Sequence, residues 1–404
     1  MNHKPVRSAK RFLIFGSPAI EEPEIQEVTS VLKSGWLGTG PKVAEFEKEF
    51  KAYKGANNAI AVNSCTAALH LSLIASGVGP GDEVITTAMT FCATVNAIIH
   101  SGATPVLVDI DPETLNIDPA QVESHITDKT RAIVLVHYGG RPCAMDVLCD
   151  IAEQYNLKII EDCAHAIESE YKGHKVGTFG DFSCFSFYVT KNIVTGEGGM
   201  ILARKEEDAS RIKNLALHGM SKDAWSRFSD KGYKHYHVVE CGYKYNMMDM
   251  QAAIGLHQLK RVDSYWQRRE QIWQRYHQAL KNAPVKLPAE PDANTKHAYH
   301  LFTIQINKTE TGIIRDKFLD AMTAENIGVG VHYLSIPEHP YYQSRYGWKT
   351  KDYPNAMCYG RQTVSLPLSA KLSDEDVNDV VKAVFAILNR ASASRNEQLP
   401  CQLR

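Results

Sequence analysis

Phe185-Ser186-Phe187-Tyr188-Val189-Thr190-Lys191-Asn192-Ile193-Val194-Thr195-Gly196-Glu197-Gly198-Gly199 reads as a buried strand that breaks at a lysine and then at a glycine-rich turn. Lysine is rarely buried without a task, because its ammonium loses hydration there. A strand that ends this way presents one amine at the edge of a sheet, so Lys191 is the candidate nucleophile. Gly-Glu-Gly-Gly is also the composition of an ordinary hairpin, and most lysines are solvated surface residues. This stretch alone leaves both readings open.

The chain around it alternates. Ala59 to Val62 reads as a strand, Thr66 to Ala75 as a helix, Glu83 to Thr86 as a strand and Thr94 to Ser101 as a helix; strands follow at Pro105 to Asp109, Ala132 to His137 and Leu157 to Glu161, with a helix at Met145 to Tyr155. Alternation of this kind implies an α/β fold with a mostly parallel sheet covered on both faces. Ligands of such sheets bind beyond the carboxyl ends of the strands.

Three of those ends carry chemistry. Asn63-Ser64-Cys65-Thr66 opens a helix whose free N–H groups suit a phosphate, or is simply N-capped by Ser64 or Thr66. Glu161-Asp162-Cys163-Ala164-His165 ends a strand in an acidic pair and a histidine, which are functional or are core groups satisfied by partners. Met89-Thr90-Phe91-Cys92 offers an aromatic face, which is otherwise plain core.

Further along, Glu22 to Lys33 and the segment from Val43 to Tyr53 have helical spacing around a glycine-rich loop, Trp36 to Pro41. Met200 to Ala203 completes the sheet, Ala209 to Leu217 is a helix, and Ser221 to Val239 breaks into a loop. Tyr245 to Leu280 reads as one long helix bridging two domains. Beyond it come strand-like His300 to Ile306, a helix at Ile313 to Ala324, strand-like Gly328 to Tyr333 and a helix at Ser373 to Leu388. We therefore expect a large domain over 1–256, a smaller α+β domain over 257–390 and a loose tail over 391–404.

Composition narrows the function. The 404 residues are 44% hydrophobic and 23% charged with a formal net charge of -1, as in an ordinary soluble protein without the surplus cations of a nucleic-acid binder. No leader-like or membrane-spanning run stands out, and a cytoplasmic location is expected. The nine cysteines are scattered without Cys-x-x-Cys spacing, which reads as reduced core residues and no metal site.

Taken together, Gly35-Trp36-Leu37 with Gly40-Pro41, Asn63 to His70, Gly81 to Ile85, Glu161 to His165, Ser186-Phe187 with Lys191-Asn192 and Gly196 to Gly199, and Ser365 to Leu368 resemble the DegT/DnrJ/EryC1/StrS sugar aminotransferases. The resemblance runs from about Ile20 to Leu388. It implies the aspartate-aminotransferase fold and pyridoxal 5'-phosphate (PLP), held as a Schiff base by Lys191. By the same resemblance Asp162 faces the ring nitrogen, His165, where many members carry Gln, lies near the phenolic oxygen, and Phe91 stacks on the ring. Cys65, Thr66 and Ser186 would hold the phosphate, with Lys244 or Asn246 reaching across from the neighbouring subunit of a homodimer.

Among branches, His137-Tyr138-Gly139-Gly140, Leu217-His218-Gly219, Gly242 to Asn246 and Val331-His332-Tyr333 are most similar to enzymes that aminate C4 of UDP-linked 4-keto sugars. The resemblance implies a nucleotide-sugar substrate, L-glutamate as donor and pyridoxamine 5'-phosphate (PMP) between the two halves of the reaction. His332, Tyr333 and His218 are the candidate substrate contacts. Competing readings are amination at C3, a silent PLP-binding sensor or structural subunit, and a nicotinamide dehydrogenase, for which no Gly-x-Gly-x-x-Gly follows the first strand. The C3-deoxygenating branch carries histidine where Lys191 stands.

Overall fold

The computed structural model describes residues 5–8, 11–221 and 235–398. Helices α1 (Glu22–Ser34) and α2 (Pro41–Lys54) precede β1 (Asn58–Val62), α3 (Cys65–Ala75), β2 (Glu83–Thr87), α4 (Cys92–His100), β3 (Thr104–Val108) and β4 (Thr130–Val136). Next come α5 (Met145–Gln154), β5 (Lys158–Asp162), β6 (Phe182–Ser186), β7 (Gly199–Ala203) and α6 (Glu206–Leu215). These seven strands form one sheet in the order β1-β7-β6-β5-β4-β2-β3. Only β7 runs against its neighbours β1 and β6, so the carboxyl ends of the other strands share one edge.

Strand periodicity divides the core between the two faces. Ile60, Val62, Val134 and Ile160 pack with Leu69, Leu73 and Ile212 on one side. Ile133, Leu135 and Ile159 pack with Met145 and Leu148 on the other, while Ala59, Ala61 and Phe185 meet Phe46, Phe50 and Leu256. A parallel sheet buried on both faces needs such unbroken apolar runs.

The long helical stretch is two helices, α7 (Asp249–Lys260) and α8 (Val262–Leu280), meeting at Arg261 with φ -105° and ψ 3°. The guanidinium of Arg261 is paired with Glu24 of α1. Leu256, Leu259 and Val262 belong to the sheet's core, whereas Ile272, Trp273, Tyr276 and Leu280 enter a second core with Phe302, Phe318 and Val380. That second core is built on α8, the two-stranded sheet of β8 (Phe302–Gln305) and β9 (Thr363–Leu366), α9 (Arg315–Ala324) and α10 (Asp374–Gln398). Val6 and Leu13 pack there too, so the N-terminal segment lies on the second core rather than on the sheet.

Two further expectations are corrected. Gly328 to Tyr333 makes no ladder of its own: Gly330 alone exchanges backbone bonds with Ser365, at 3.0 and 2.8 Å. The final helix does not stop at Leu388 but continues to Gln398, through residues expected to be a loose tail. Val377, Val380, Val384 and Ile387 bury its first half, and with no Gly or Pro to break it, adding each further residue costs little. Most of the loop expected over Ser221 to Val239 lies outside the described residues. Among the described residues, no helix is long and apolar enough to cross a membrane.

Candidate active site

The strand that was expected to end at Lys191 ends at Ser186. Lys191 sits instead in the connection to β7, in a tight turn where its N–H donates to the Tyr188 carbonyl at 2.8 Å. The glycines after it have separate reasons. Gly196 has φ +84°, which favours glycine. A Cβ on Gly198 would sit 2.3 Å from Thr195 Oγ, and one on Gly199 would sit 2.5 Å from the Ser64 carbonyl carbon and 2.8 Å from Cys65 N. Gly199 thus lets β7 lie directly against the start of α3. Glu197 uses its carbonyl to accept from Thr195 Oγ at 2.6 Å and Gln251 Nε2 at 2.8 Å.

At the carboxyl edge of the sheet opens a cleft of about 490 Å³, lined by Cys65, Thr66, Phe91, Asp162, His165, Ser186, Lys191, His332 and Tyr333. Nine sequence candidates therefore converge. Lys191 is partly buried; burial, opposed by Cys65 and Asp162, lowers its ammonium pKa to about 8. Phe91, read as possible core, is 56% exposed at the cleft.

The acidic pair splits by strand alternation. Glu161 is fully buried and accepts from the N–H groups of Gly177, Phe179 and Gly180 at 2.7 to 2.9 Å, with His137 Nε2 at 3.1 Å. It is a satisfied core carboxylate. His137, Glu161 and Cys163 bring ligand atoms within 4.8 Å of one another, yet the Glu161 oxygens are already taken by those donors. Asp162 points the opposite way, into the cleft. Its Oδ2 accepts from Thr94 Oγ at 2.8 Å and its Oδ1 from Ala164 N at 3.1 Å. Burial pushes this carboxyl up, and the donors and Lys191 pull against it.

At the start of α3 the cap is Ser64, whose Oγ accepts from Ala67 N at 3.1 Å. Cys65 and Thr66 are left facing the cleft, with the free N–H groups of the first turn behind them. His165 Nδ1 accepts from Gly139 N at 3.2 Å, and its Nε2 lies 3.0 Å from Tyr333 Oη. Burial, then Lys191, lowers the His332 pKa to about 4; its Nδ1 lies 2.8 Å from Ser365 Oγ.

Three candidates lie elsewhere. His218, at φ 59°, donates its N–H to the Tyr243 carbonyl at 2.7 Å and does not line the cleft. Lys244 Nζ donates to Asn246 Oδ1 at 2.6 Å, and Asn246 faces a separate hollow beside Trp36, Pro41 and Leu217. Sequence reading missed Thr90 and Thr94, whose hydroxyls lie 2.8 Å apart; their spacing of four at the opening of α4 was the available signal. Composition also read the cysteines as core, whereas Cys241 and Cys358 are exposed.

The residues fit PLP. A small-molecule-sized cleft joins one amine of lowered pKa, one buried carboxylate, an aromatic face and a helix N-terminus suited to phosphate. Sheet and site together define a PLP-dependent enzyme of fold type I.

Residues 18–385 match the DegT/DnrJ/EryC1/StrS aminotransferase family, and the chain belongs to it. Over 387 residues, 96% of this chain and all of the relative, it is 50% identical to the spore coat polysaccharide biosynthesis protein SpsC of Bacillus subtilis. Spr1654 from Streptococcus pneumoniae, solved in PMP and PLP forms, superposes with TM-scores of 0.88 and 0.87 at 34% and 33% identity, covering 94% of this chain and 100% and 99% of those chains. Helicobacter pylori PseC, an aminotransferase involved in the biosynthesis of pseudoaminic acid, superposes at 0.87 with 28% identity over 94% of this chain and 100% of its own. The chain is a PLP-dependent aminotransferase.

Proposed function

We propose that this aminotransferase moves the amino group of L-glutamate to C4 of a UDP-linked 4-keto sugar, a step in making an amino sugar for a cell-surface polysaccharide. The observation that carries the reading is the convergence of Lys191, Asp162 and the N-terminus of α3 on one cleft that also holds His332 and Tyr333. The name of SpsC and the role of PseC in pseudoaminic acid biosynthesis support a sugar as acceptor.

Bound PLP supplies a carbonyl carbon that takes up an amino group and a ring that draws electrons from the adjacent C–H bond. Asp162, kept in place by Thr94 and Ala164, holds the positive charge of the ring nitrogen. Ser186 and the Cys65–Thr66 turn would hold the phosphate, and Phe91 would offer its face to the ring. With its pKa lowered to about 8, Lys191 exists partly as free amine near neutrality and takes the proton from the α-carbon of the donor. In the return half it gives a proton to C4 of the sugar. His332 and Tyr333 orient that sugar.

We read the assembly as a homodimer. Among the described residues, Lys191 is the one ammonium or guanidinium lining the cleft, while a phosphate, a dicarboxylate and a nucleotide diphosphate all bring negative charge. Lys244 or Asn246, both outside their own cleft, is the group we assign to the neighbouring subunit's phosphate, with His218, whose N–H donates to Tyr243 of the adjoining segment, as a substrate contact across the interface.

The test is to mix purified protein with glutamate and follow the visible spectrum beside Lys191→Ala, then add UDP-4-keto and 3-keto sugars in turn. We expect glutamate to convert the parent alone, and a UDP-4-keto sugar to restore the starting band. An unchanged parent spectrum argues against glutamate as donor; restoration by 3-keto sugars alone moves amination to C3.

A further inference from the structure

Behind the cleft runs a chain of buried polar side chains that the steps above leave unused. Arg269 of α8 is paired with Glu168, both buried. The other Glu168 oxygen accepts from Asn192 Nδ2 at 2.7 Å, and the same nitrogen donates to the Ala298 carbonyl at 3.1 Å. An amide nitrogen between a carboxylate and a carbonyl leaves Asn192 Oδ1, an acceptor, facing His300 Nδ1 at 2.8 Å. That imidazole nitrogen therefore carries the proton.

His300 lies against His165, with ring centroids 4.3 Å apart and planes 30° from parallel. The same donor logic fixes His165: its Nδ1 accepts from Gly139 N, so its proton sits on Nε2 and is given to Tyr333 Oη at 3.0 Å. With its oxygen accepting there, Tyr333 keeps its own hydroxyl hydrogen for the cleft it lines.

We propose that His300 is a positioning residue of this active site: clamped by Asn192 and the Glu168–Arg269 pair, it packs against the His165 ring and holds it, in the tautomer that Gly139 sets, at the tilt that donates to Tyr333, directing the Tyr333 hydroxyl hydrogen into the cofactor cleft. The chain spans the molecule, since Arg269, Ala298 and His300 come from beside the second core while Glu168 and Asn192 belong to the sheet side. Lys191, His332, Arg269 and His297 face His300, and burial together with those neighbours holds its imidazole well below the usual range. It stays neutral at working pH, as the tautomer argument requires.

The inference rests on the cleft being the PLP site, and the test separates the two. The visible band of the holoenzyme is titrated from about pH 5 to 10 in the parent, His300→Ala, His300→Gln, Asn192→Ala and Tyr333→Phe. We expect full cofactor content in each. The midpoint should move upward by about one pH unit in His300→Ala, Asn192→Ala and Tyr333→Phe, because a lost donor leaves the cofactor's negative charge less stabilised. His300→Gln, which still donates to Asn192, should shift less. The His300→Ala/Tyr333→Phe double variant should shift no further than Tyr333→Phe alone. Unmoved midpoints in His300→Ala and Asn192→Ala overturn the proposal; should His300→Ala fail to fold, Asn192→Ala with Tyr333→Phe decides it by the same criterion. A parent without any band sinks the cofactor reading instead.

Discussion

Thr94 Oγ donates to Asp162 Oδ2 at 2.8 Å, and Thr90 Oγ stands 2.8 Å behind it. The carboxylate proposed to face the cofactor's ring nitrogen is thus the end of a short hydroxyl chain that runs from Thr90, just before α4, to Thr94 on its first turn. A hydrogen bond to a charged group is worth about 1.5–3 kcal/mol, or roughly 10- to 100-fold. Thr94→Val should slow the glutamate half-reaction by about that factor, and Thr94→Ser should stay near the parent. Stopped-flow absorbance of the two variants checks this; equal rates would show that the hydroxyl does not matter.

Lys191 makes a prediction in pH. Burial lowers its ammonium pKa to about 8, so the amine is protonated below that value and free above it. Steps that need the free amine should quicken about tenfold for each pH unit approaching 8 and level off above about 9. Single-turnover rates with glutamate from about pH 6 to 10 report the midpoint. A flat profile, or a midpoint near the ordinary lysine value, would mean that Lys191 is not the group moving the proton.

The sheet was legible because β1 to β5 are short apolar runs separated by amphipathic helices, and period-two alternation says which face each residue takes. That alternation also separates Glu161 from Asp162, although the sequence offers them as a pair. Local pattern could not say that Tyr245 to Leu280 breaks at Arg261, where the helical spacing continues unbroken and the backbone departs beside a partner, Glu24, far away in the chain. The Asn192–His300 contact was hidden for the same reason: donor and acceptor lie 108 positions apart. Thr94 is a plain helix residue until the fold sets it beside Asp162. His218 and Lys244 carry motif signals whose proposed use depends on a second subunit.

Gly199 is where β7 passes the start of α3, and an added Cβ would come within 2.5 Å of the Ser64 backbone. Backbone cannot swing aside as the end of a side chain can, so Gly199→Ala must push the first turn of α3 away. Overpacking of this kind costs about 1–3 kcal/mol. We expect a lower melting temperature together with weaker PLP binding in fluorescence titration, since the phosphate's proposed donors move with that turn. A variant that melts lower but binds PLP as the parent does would separate α3 from the phosphate.

Asp249 ties the glycine-rich loop to the segment that carries Asn246. It is 1% exposed; its Oδ1 accepts from Gly40 N at 2.8 Å and Val43 N at 3.0 Å, and its Oδ2 from Lys42 N at 3.1 Å. These are the orphan donors at the start of α2, which has no side-chain cap of its own. Nearby, Asn246 Nδ2 donates to Thr39 Oγ, and Thr39 Oγ to the Met247 carbonyl, each at 2.6 Å. Asp249→Ala leaves three N–H groups without their acceptor in a partly buried site and should lower the unfolding free energy in urea by about 1–3 kcal/mol, with Asp249→Asn losing about half of that. The cofactor content of folded molecules should hold if only stability is at stake. If the loop also presents Asn246 to the neighbouring subunit, PLP affinity should fall together with the dimer in sedimentation; a stable, PLP-saturated monomer would show instead that each cleft is complete in one chain.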